Sequence, residues 1–301
     1  MKVLVLGASG FLGSYLGFAL QGMGHEVFGV ARRPVPYFPH NTVATDLNDV
    51  AGVIHSGGHD LVINAIAVAS HETCEEKPDT AEEVNAVSPG LWASTALEAG
   101  SRFVHISTDA VFDGASSELY VEEDATNPES VYGITKVRGE RSVLAANPEA
   151  LVLRVNFFGW SQSGLSGILD FFVSAFTHQT PITGFQDYLV SSLYVGDLVE
   201  GMMGLVERDA SGIFHLVSST PLSKYDFGRI VARSAGLSAD SMAAGVLGEA
   251  KGLAPRGHNL SLSTAKIEGV LGNPMPSTEA GVRRALAERD ALMDYFGASE
   301  K

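Results

Sequence analysis

Tyr132 and Lys136 stand four residues apart in Val131-Tyr132-Gly133-Ile134-Thr135-Lys136, within a helix-patterned stretch that begins just after Asn127-Pro128. At that spacing two side chains share one helix face and can address the same point. A free phenol titrates near ~10, too high for easy proton exchange at neutral pH. A neighbouring ammonium favours the phenolate and brings the group toward a useful range. Standing alone, such a pair is an ordinary Tyr and Lys on a half-buried helix. Here a third group accompanies it. The run Phe103-Val104-His105-Ile106-Ser107-Thr108-Asp109-Ala110-Val111-Phe112-Asp113-Gly114 passes from a strand into a turn and puts Thr108 at the strand's carboxyl end. Its hydroxyl there can hydrogen-bond a carbonyl oxygen and share the charge that develops on it.

A second group of residues has the makings of a phosphate cradle. Val3-Leu4-Val5-Leu6 leads into Gly7-Ala8-Ser9-Gly10-Phe11-Leu12-Gly13, a strand, a Gly-x-x-Gly-x-x-Gly turn and the start of an amphipathic helix. Gly7 permits the tight turn, Gly10 lets a pyrophosphate approach the backbone, and Gly13 lets the helix pack closely on the strand. The helix N-terminus supplies N–H donors and positive potential to the phosphates. The segment Gly7, Ser9, Gly10, Phe11, Leu12 and Gly13 therefore reads as dinucleotide-binding. The next strand ends at Phe28-Gly29-Val30-Ala31-Arg32-Arg33, and no acid occurs from Val27 through Thr45. An acid near that point holds the ribose 2'-hydroxyl of NAD, whereas arginine accommodates a 2'-phosphate. Arg32 and Arg33 thus favour NADP(H) over NAD(H). Asp46 and Leu47, after the presumed third strand, are expected to border the adenine, and Ala65, Ile66 and Ala67 are counted with the same cofactor site.

The elements that must hold these residues alternate regularly in the first half. Lys2–Leu6, Glu26–Val30, Asp60–Ile63, Arg102–Ile106 and Leu151–Val155 read as buried strands, with helical patterns at Phe11–Gln21, Asp79–Ala99 and Ser130–Ala146. That order requires a parallel α/β sheet, because parallel strands need crossover connections and these are usually helices. The expected architecture is a doubly wound Rossmann sheet, with cofactor at the carboxyl ends of its strands. After Asn156 the rhythm becomes irregular. Helices are expected near Ile168–His178, Val195–Glu207, Lys224–Ser234 and Thr278–Tyr295, a loop at Pro181–Asp187 and a strand at Gly212–Val217. No linker or internal repeat intervenes. Residues 1–156 are read as the NADP-binding core and 157–301 as mainly a smaller, interwoven substrate lobe with segments returning to the core.

Bulk properties exclude several function classes. The 301 residues, 45% of them hydrophobic, suffice for a sizeable core without staples. A formal charge of -15 argues against nucleic-acid and anionic-membrane binding, both of which demand basic surface. Any anionic ligand must be met locally. The single cysteine, Cys74, excludes an internal disulfide framework and fits a reducing compartment. The apolar N-terminal run is interrupted by Gly7, Gly10, Gly13 and Gly17, which opposes a signal peptide, and no apolar run reaches the ~18 residues of a membrane span. A cytoplasmic location is the default expectation, and a homodimer is compatible with it. His55, His59, His71 and Cys74 are closely spaced but lack a second cysteine pair and straddle a core strand, so no metal site is expected.

Taken together these motifs resemble the extended short-chain dehydrogenase/reductases, and within them the dTDP-4-dehydrorhamnose reductase-like branch. The carriers are Gly7-x-x-Gly10-x-x-Gly13, Ile63-Asn64-Ala65 followed by Cys74-Glu75 and Val84-Asn85-Ala86, the Ser107–Gly114 run, Tyr132-Gly133-x-x-Lys136 and the late Asn259–Lys266 segment. The resemblance implies hydride delivery from NADPH to the C4 ketone of a nucleotide-linked sugar. Tyr132 would donate the proton, Lys136 would hold the nicotinamide ribose and lower the Tyr pKa, and Thr108 would orient the carbonyl. Asp109, Ala110, Asn156 and Phe157 would face the substrate, and Asn85 would tie a helix to a neighbouring strand.

Two departures stand out. Relatives usually carry tyrosine where this chain has Ala110, and rhamnose-type reductases tend to show tryptophan where it has Phe157. Both positions are expected to face the sugar, which leaves room for a different substrate. Ala110 also counts against a sugar-nucleotide 4,6-dehydratase, whose turn reads Thr-Asp-Glu. The remaining alternatives are an NAD-dependent epimerase, opposed by Arg32 and Arg33, and a non-catalytic NADP-binding regulatory subunit, opposed by the intact Thr108/Tyr132/Lys136 set.

Overall fold

Apolar residues at alternate positions of the first strand enter two different cores: Val3 and Val5 join one buried cluster, Leu4 and Leu6 the other. The same period of two sends Leu61 and Ile63 one way and Val62 the other, and parts Leu151, Leu153 and Val155 from Val152. A strand that is apolar on both faces belongs inside a parallel sheet covered by helices on each side. The computed structural model, which describes residues 1–162, 167–249, 254, 255 and 257–297, contains that sheet. Its strands are β1 (Lys2–Leu6), β2 (Glu26–Ala31), β3 (His40–Val43), β4 (Leu61–Asn64), β5 (Arg102–Thr108), β6 (Leu151–Val155) and β7 (Gly212–Leu216). Their order is β7-β6-β5-β4-β1-β2-β3, every pairing parallel. The order reverses between β1 and β4, the switch point beside which an open α/β sheet binds its ligand.

The principal helices are α1 (Phe11–Gly22), α2 (Leu47–Ser56), α3 (Ser88–Glu98), α4 (Val131–Ala146), α5 (Ile168–Thr177), α6 (Val195–Glu207), α7 (Lys224–Ala235) and α8 (Thr278–Gly297). α1 is buried along most of its length because Gly13 lets it lie against the strand: a Cβ there would stand 2.0 Å from the Gly7 carbonyl oxygen. α4 is opened by Ser130, whose hydroxyl accepts from the Gly133 N–H at 3.1 Å, satisfying one of the free donors of the first turn.

The structure departs from the sequence reading in two places. The helix expected over Asp79–Ala99 is three pieces: a short helix at Pro78–Glu82, a widened turn of i→i+5 bonding at Glu83–Val87, and α3. Pro89 in the first turn of α3 has no N–H to return to the Asn85 carbonyl, and that carbonyl instead abuts Gly139 of α4. The loop expected at Pro181–Asp187 contains a strand, Ile182–Phe185, paired in parallel with Met242–Gly245. Further short strands knit the second half together: Leu189–Val190 lies between Leu222–Ser223 and Asn259–Leu260, and Phe157–Phe158 pairs with Leu193–Tyr194. Among the described residues no helix is long and apolar enough to cross a membrane.

Candidate active site

Gly133 explains how Tyr132 and Lys136 reach the end of β5. A Cβ at that position would lie 2.3 Å from the Ala110 carbonyl oxygen and 2.6 Å from Pro128, so only glycine lets α4 touch the turn that follows Thr108. The helix then delivers Tyr132 and Lys136 to one wall of a cavity of about 400 Å³. Thr108, Asp109, Asn156 and Phe157 line the same space, and Gly10, Phe11, Leu12 and Ala65–Ala67 close its other side. A second cavity, of about 260 Å³, continues past Gly7, Ser9, Ala31, Arg32, Asp46 and Leu47. Gly10, Ala65, Ile66 and Ala67 border both.

This double cavity fits a dinucleotide. Gly7 adopts φ +88, a conformation that favours glycine. A Cβ at Gly10 would sit 3.2 Å from the Gly7 carbonyl oxygen, and the α1 N-terminus has neither a side-chain cap nor an acid in its first turn. Its N–H donors and positive end are left to a phosphate. Asp46 caps α2 by accepting from the Asn48 N–H at 2.8 Å, so this bordering residue also starts a helix.

Three expected residues do not line either cavity. Gly13 is packed under the turn, Arg33 is exposed while Arg32 borders the cavity, and Ala110 is turned into the contact with Gly133. The Ala110 N–H donates to the Thr108 hydroxyl at 3.2 Å. Ala110 thus acts on the site only through its backbone, which braces Thr108.

The electrostatics at the reacting end are set by burial. Lys136, 1% exposed, has its ammonium pushed down to about 8, partly offset by Glu140. Its Nζ donates to the Ile106 carbonyl at 2.6 Å and lies 3.2 Å from Nε2 of His105. Burial pushes the Tyr132 phenol above its ordinary value, against a lowering by hydrogen bonding with Thr108. Asp109 is pushed up to about 6 by burial, although Asn156 donates to it at 2.7 Å and Thr108 at 3.1 Å. The Ser192 hydroxyl in turn donates to the Asn156 carbonyl oxygen, and Phe157 stacks on Phe11 with centroids 5.7 Å apart. Asn85 does not bond a strand: it brackets Val68, donating to its carbonyl and accepting from its N–H, and donates to Thr135 of α4.

Sequence reasoning missed Lys224, His105 and Asn64. Lys224, at the start of α7, is pushed down to about 8 by burial and opposed by the charge of Asp109, with Nζ 5.6 Å from the Tyr188 ring centroid. Nothing local marks it. Three of the four residues weighed for metal binding are engaged otherwise: the His59 ring packs on Phe28, the His71 ring lies 4.8 Å from that of Tyr132, and the Cys74 thiol donates to the Val68 carbonyl. Among the described residues no group of three or more His, Cys, Asp or Glu is placed to hold a metal ion.

Comparison with known proteins gives the family. Residues 1–291 match a family described as the RmlD substrate binding domain. A probable low-salt glycan biosynthesis reductase of Haloferax volcanii is 30% identical over 285 residues, 93% of this chain and 95% of that protein. The dTDP-4-dehydrorhamnose reductase of Escherichia coli K12 is 27% identical over 96% of this chain and 98% of its own. A solved dTDP-4-dehydrorhamnose reductase from Clostridium acetobutylicum superposes with a TM-score of 0.85 at 25% identity, covering 96% of this chain and 100% of its own. On the match of nearly its whole length, the chain belongs to the RmlD substrate-binding-domain family, the dTDP-4-dehydrorhamnose reductase-like branch of the extended short-chain dehydrogenase/reductases.

Proposed function

We propose that the chain is an NADPH-dependent ketoreductase acting on the C4 ketone of a nucleotide-linked deoxysugar. The observation that carries this is the convergence of Thr108, Tyr132 and Lys136 on one wall of a cavity that runs past the α1 N-terminus to Arg32. Relatives named dTDP-4-dehydrorhamnose reductase and dTDP-4-keto-6-deoxy-D-glucose reductase support the reaction class, and a Bacillus anthracis neighbour of the same fold was crystallised with NADP. Residues 157–301 are read mainly as the substrate lobe, from which Phe157 lines the cavity and Lys224 faces Asp109.

Bound NADPH supplies the hydride. Tyr132 is protonated at neutral pH, as a phenol of ordinary pKa near ~10 is, and burial favours that form further; it is the state a proton donor requires. As the carbonyl oxygen gains charge, the phenol gives it its proton. The phenolate left behind is stabilised by the Lys136 ammonium and by Thr108. Thr108 donates to Asp109 before substrate arrives. To orient a carbonyl it turns that proton into the cavity, and the Ala110 N–H keeps its oxygen in place. With the Lys136 ammonium pushed down to about 8 by burial, the reductive direction is expected to fall off above that pH.

The test is titration with NADPH and NADH, followed by NADPH oxidation against a panel of nucleotide-linked 4-ketosugars. Tighter NADPH binding is expected, with turnover reduced ~10²–10⁴-fold in Tyr132→Phe. Tight NADPH binding with no oxidation across the panel overturns the ketoreductase reading in favour of a regulatory subunit. Preference for NADH points to the epimerase.

A further inference from the structure

We propose that His105 is a positioning residue that sets the protonation state of Lys136, because Asn64 fixes the imidazole proton on the nitrogen that faces the lysine. The inference rests on Lys136 taking part in the reaction, as proposed above.

The chain of contacts begins at a backbone group. The Ile66 N–H, which can only donate, bonds the Asn64 side-chain carbonyl at 3.0 Å. That fixes which way the amide points, so the Asn64 NH₂ faces His105 Nδ1 at 3.0 Å. An NH₂ group offers only donors, and Nδ1 must therefore carry the lone pair. His105 is fully buried, and burial holds its pKa well below the ordinary value, followed by the charge of Lys136. The ring is neutral, and its one proton sits on Nε2.

Nε2 lies 3.2 Å from Lys136 Nζ. With an ammonium at that point, two N–H groups oppose each other. Removal of one proton from Lys136 converts the opposition into an N–H···N hydrogen bond and leaves the amine able to donate to the Ile106 carbonyl. His105 thus favours the neutral amine and lowers the pH at which Lys136 titrates. The charged and titratable neighbours among the described residues come from several elements. Glu140 lies one turn further along α4 and is occupied by Arg154 and Ser107. Tyr132, on the same helix, and Asp109, beyond Thr108, face the cavity, with Cys74 behind Tyr132. His105 is the group from β5 and Asn64 the one from β4.

Two substitutions act on this chain at different links. His105→Gln replaces the opposing N–H with a side chain that can present an oxygen to the ammonium. Asn64→Asp keeps the Ile66 bond but offers Nδ1 an acceptor, which draws the ring proton to Nδ1 and turns the Nε2 lone pair toward Lys136. Both are expected to raise the Lys136 titration by about one to two pH units, the size of one hydrogen bond to a charged group.

The experiment is NMR on the full chain labelled with ¹⁵N-histidine and ¹³C-lysine, followed from pH ~6 to ~10 across the range reported by the ordinary lysine value. The His105 signal, identified by its loss in His105→Gln, should report a neutral ring protonated on Nε2, and the Lys136 ε-carbon midpoint should rise in both variants. The alkaline limb of kcat/KM for NADPH-dependent reduction should move with it. A ring protonated on Nδ1, or a Lys136 midpoint unchanged in both variants, overturns the proposal. Because the NMR midpoints need no substrate, they judge it even where the ketosugar panel shows no turnover.

Discussion

Arg32 and Lys224 are cations at opposite ends of the proposed site in a chain whose formal charge is -15: Arg32 borders the second cavity, and Lys224 interacts with the charge of Asp109. Arg32 borders the cavity beyond the glycine turn and Arg33 does not, so the two differ although the sequence presents them as a pair. Arg32→Ala should weaken NADPH binding about 10–100-fold, the range for one charge-assisted hydrogen bond, with NADH binding changed far less. Arg33→Ala should leave both nearly unchanged. Fluorescence titration with the two nucleotides checks this, and equal losses for NADPH and NADH in Arg32→Ala would refute the 2'-phosphate assignment. Lys224 faces Asp109 from the other half of the chain. In Lys224→Met, KM for the sugar nucleotide should rise about tenfold while NADPH affinity holds. A loss confined to NADPH affinity would place Lys224 on the cofactor side. The place of Arg32 beside the cavity was legible because it follows a strand at a fixed point of a known turn. Lys224 was not, since its role depends on long-range packing that no local pattern encodes.

At the scale of elements, α4 lies on β5 with a helical period of four set against a strand period of two. Lys136 meets His105, and Glu140 meets Ser107. The spacing of Tyr132 and Lys136 and the position of Thr108 could be read from the sequence because each is fixed within one element. The facing residues of β5 could not, because register between a helix and a strand is decided by contact. That contact is made close by Gly133, whose missing side chain admits the Ala110 carbonyl, and by Gly139, where a Cβ would lie 3.6 Å from His105 Nε2 as well as 2.1 Å from the Asn85 carbonyl of the Glu83–Val87 turn. In a solvent-facing helix, Gly→Ala stabilises by about 1 kcal/mol. At Gly133 the sign should reverse: the added carbon would stand 2.3 Å from the Ala110 oxygen, and such overpacking costs about 1–3 kcal/mol. Turnover should fall as well, since the displaced turn carries Thr108. Gly269→Ala, inside the short helix Ala265–Leu271 with open space around it, should instead stabilise. Urea unfolding of both variants decides the matter, and a gain in stability at Gly133 would show that the helix can back away. The misread run at Asp79–Ala99 has the same origin: helical periodicity survives through Glu83–Val87, while Pro89 and the contact with Gly139 widen the turn.

At the scale of the whole molecule, the two apolar cores were foreshadowed by strands apolar on both faces, but the polar interior beside them was not. Arg154 and Glu140, 3% and 4% exposed, pair at 2.9 Å between β6 and α4, and Arg154 also lies 3.4 Å from Nε2 of His215 on β7. His215 is completely buried. Burial, then the Arg154 cation, pushes its pKa down to about 3, against about 6.5 in an unfolded chain. Between those values the unfolded state binds a proton that the folded state refuses, so stability rises with pH across this window and is lost as pH falls below ~6.5. His105, held well below its ordinary value, acts in the same direction. Asp109, pushed up to about 6 by burial, acts oppositely: its folded form binds the extra proton, and its penalty is relieved on acidification. A variant is therefore needed to isolate His215. At about 1.4 kcal/mol per unit, roughly 2–3 kcal/mol of the His215 contribution should be gone by pH ~4.5. His215→Gln lowers the thermal midpoint at pH ~7 by disturbing Arg154, yet the gap to the wild type should narrow by several degrees at pH ~4.5, because glutamine takes up no proton in either state. Thermal midpoints measured for both proteins at the two pH values test this. Parallel curves would mean that His215 is not the group whose exclusion from protonation makes the fold acid-sensitive.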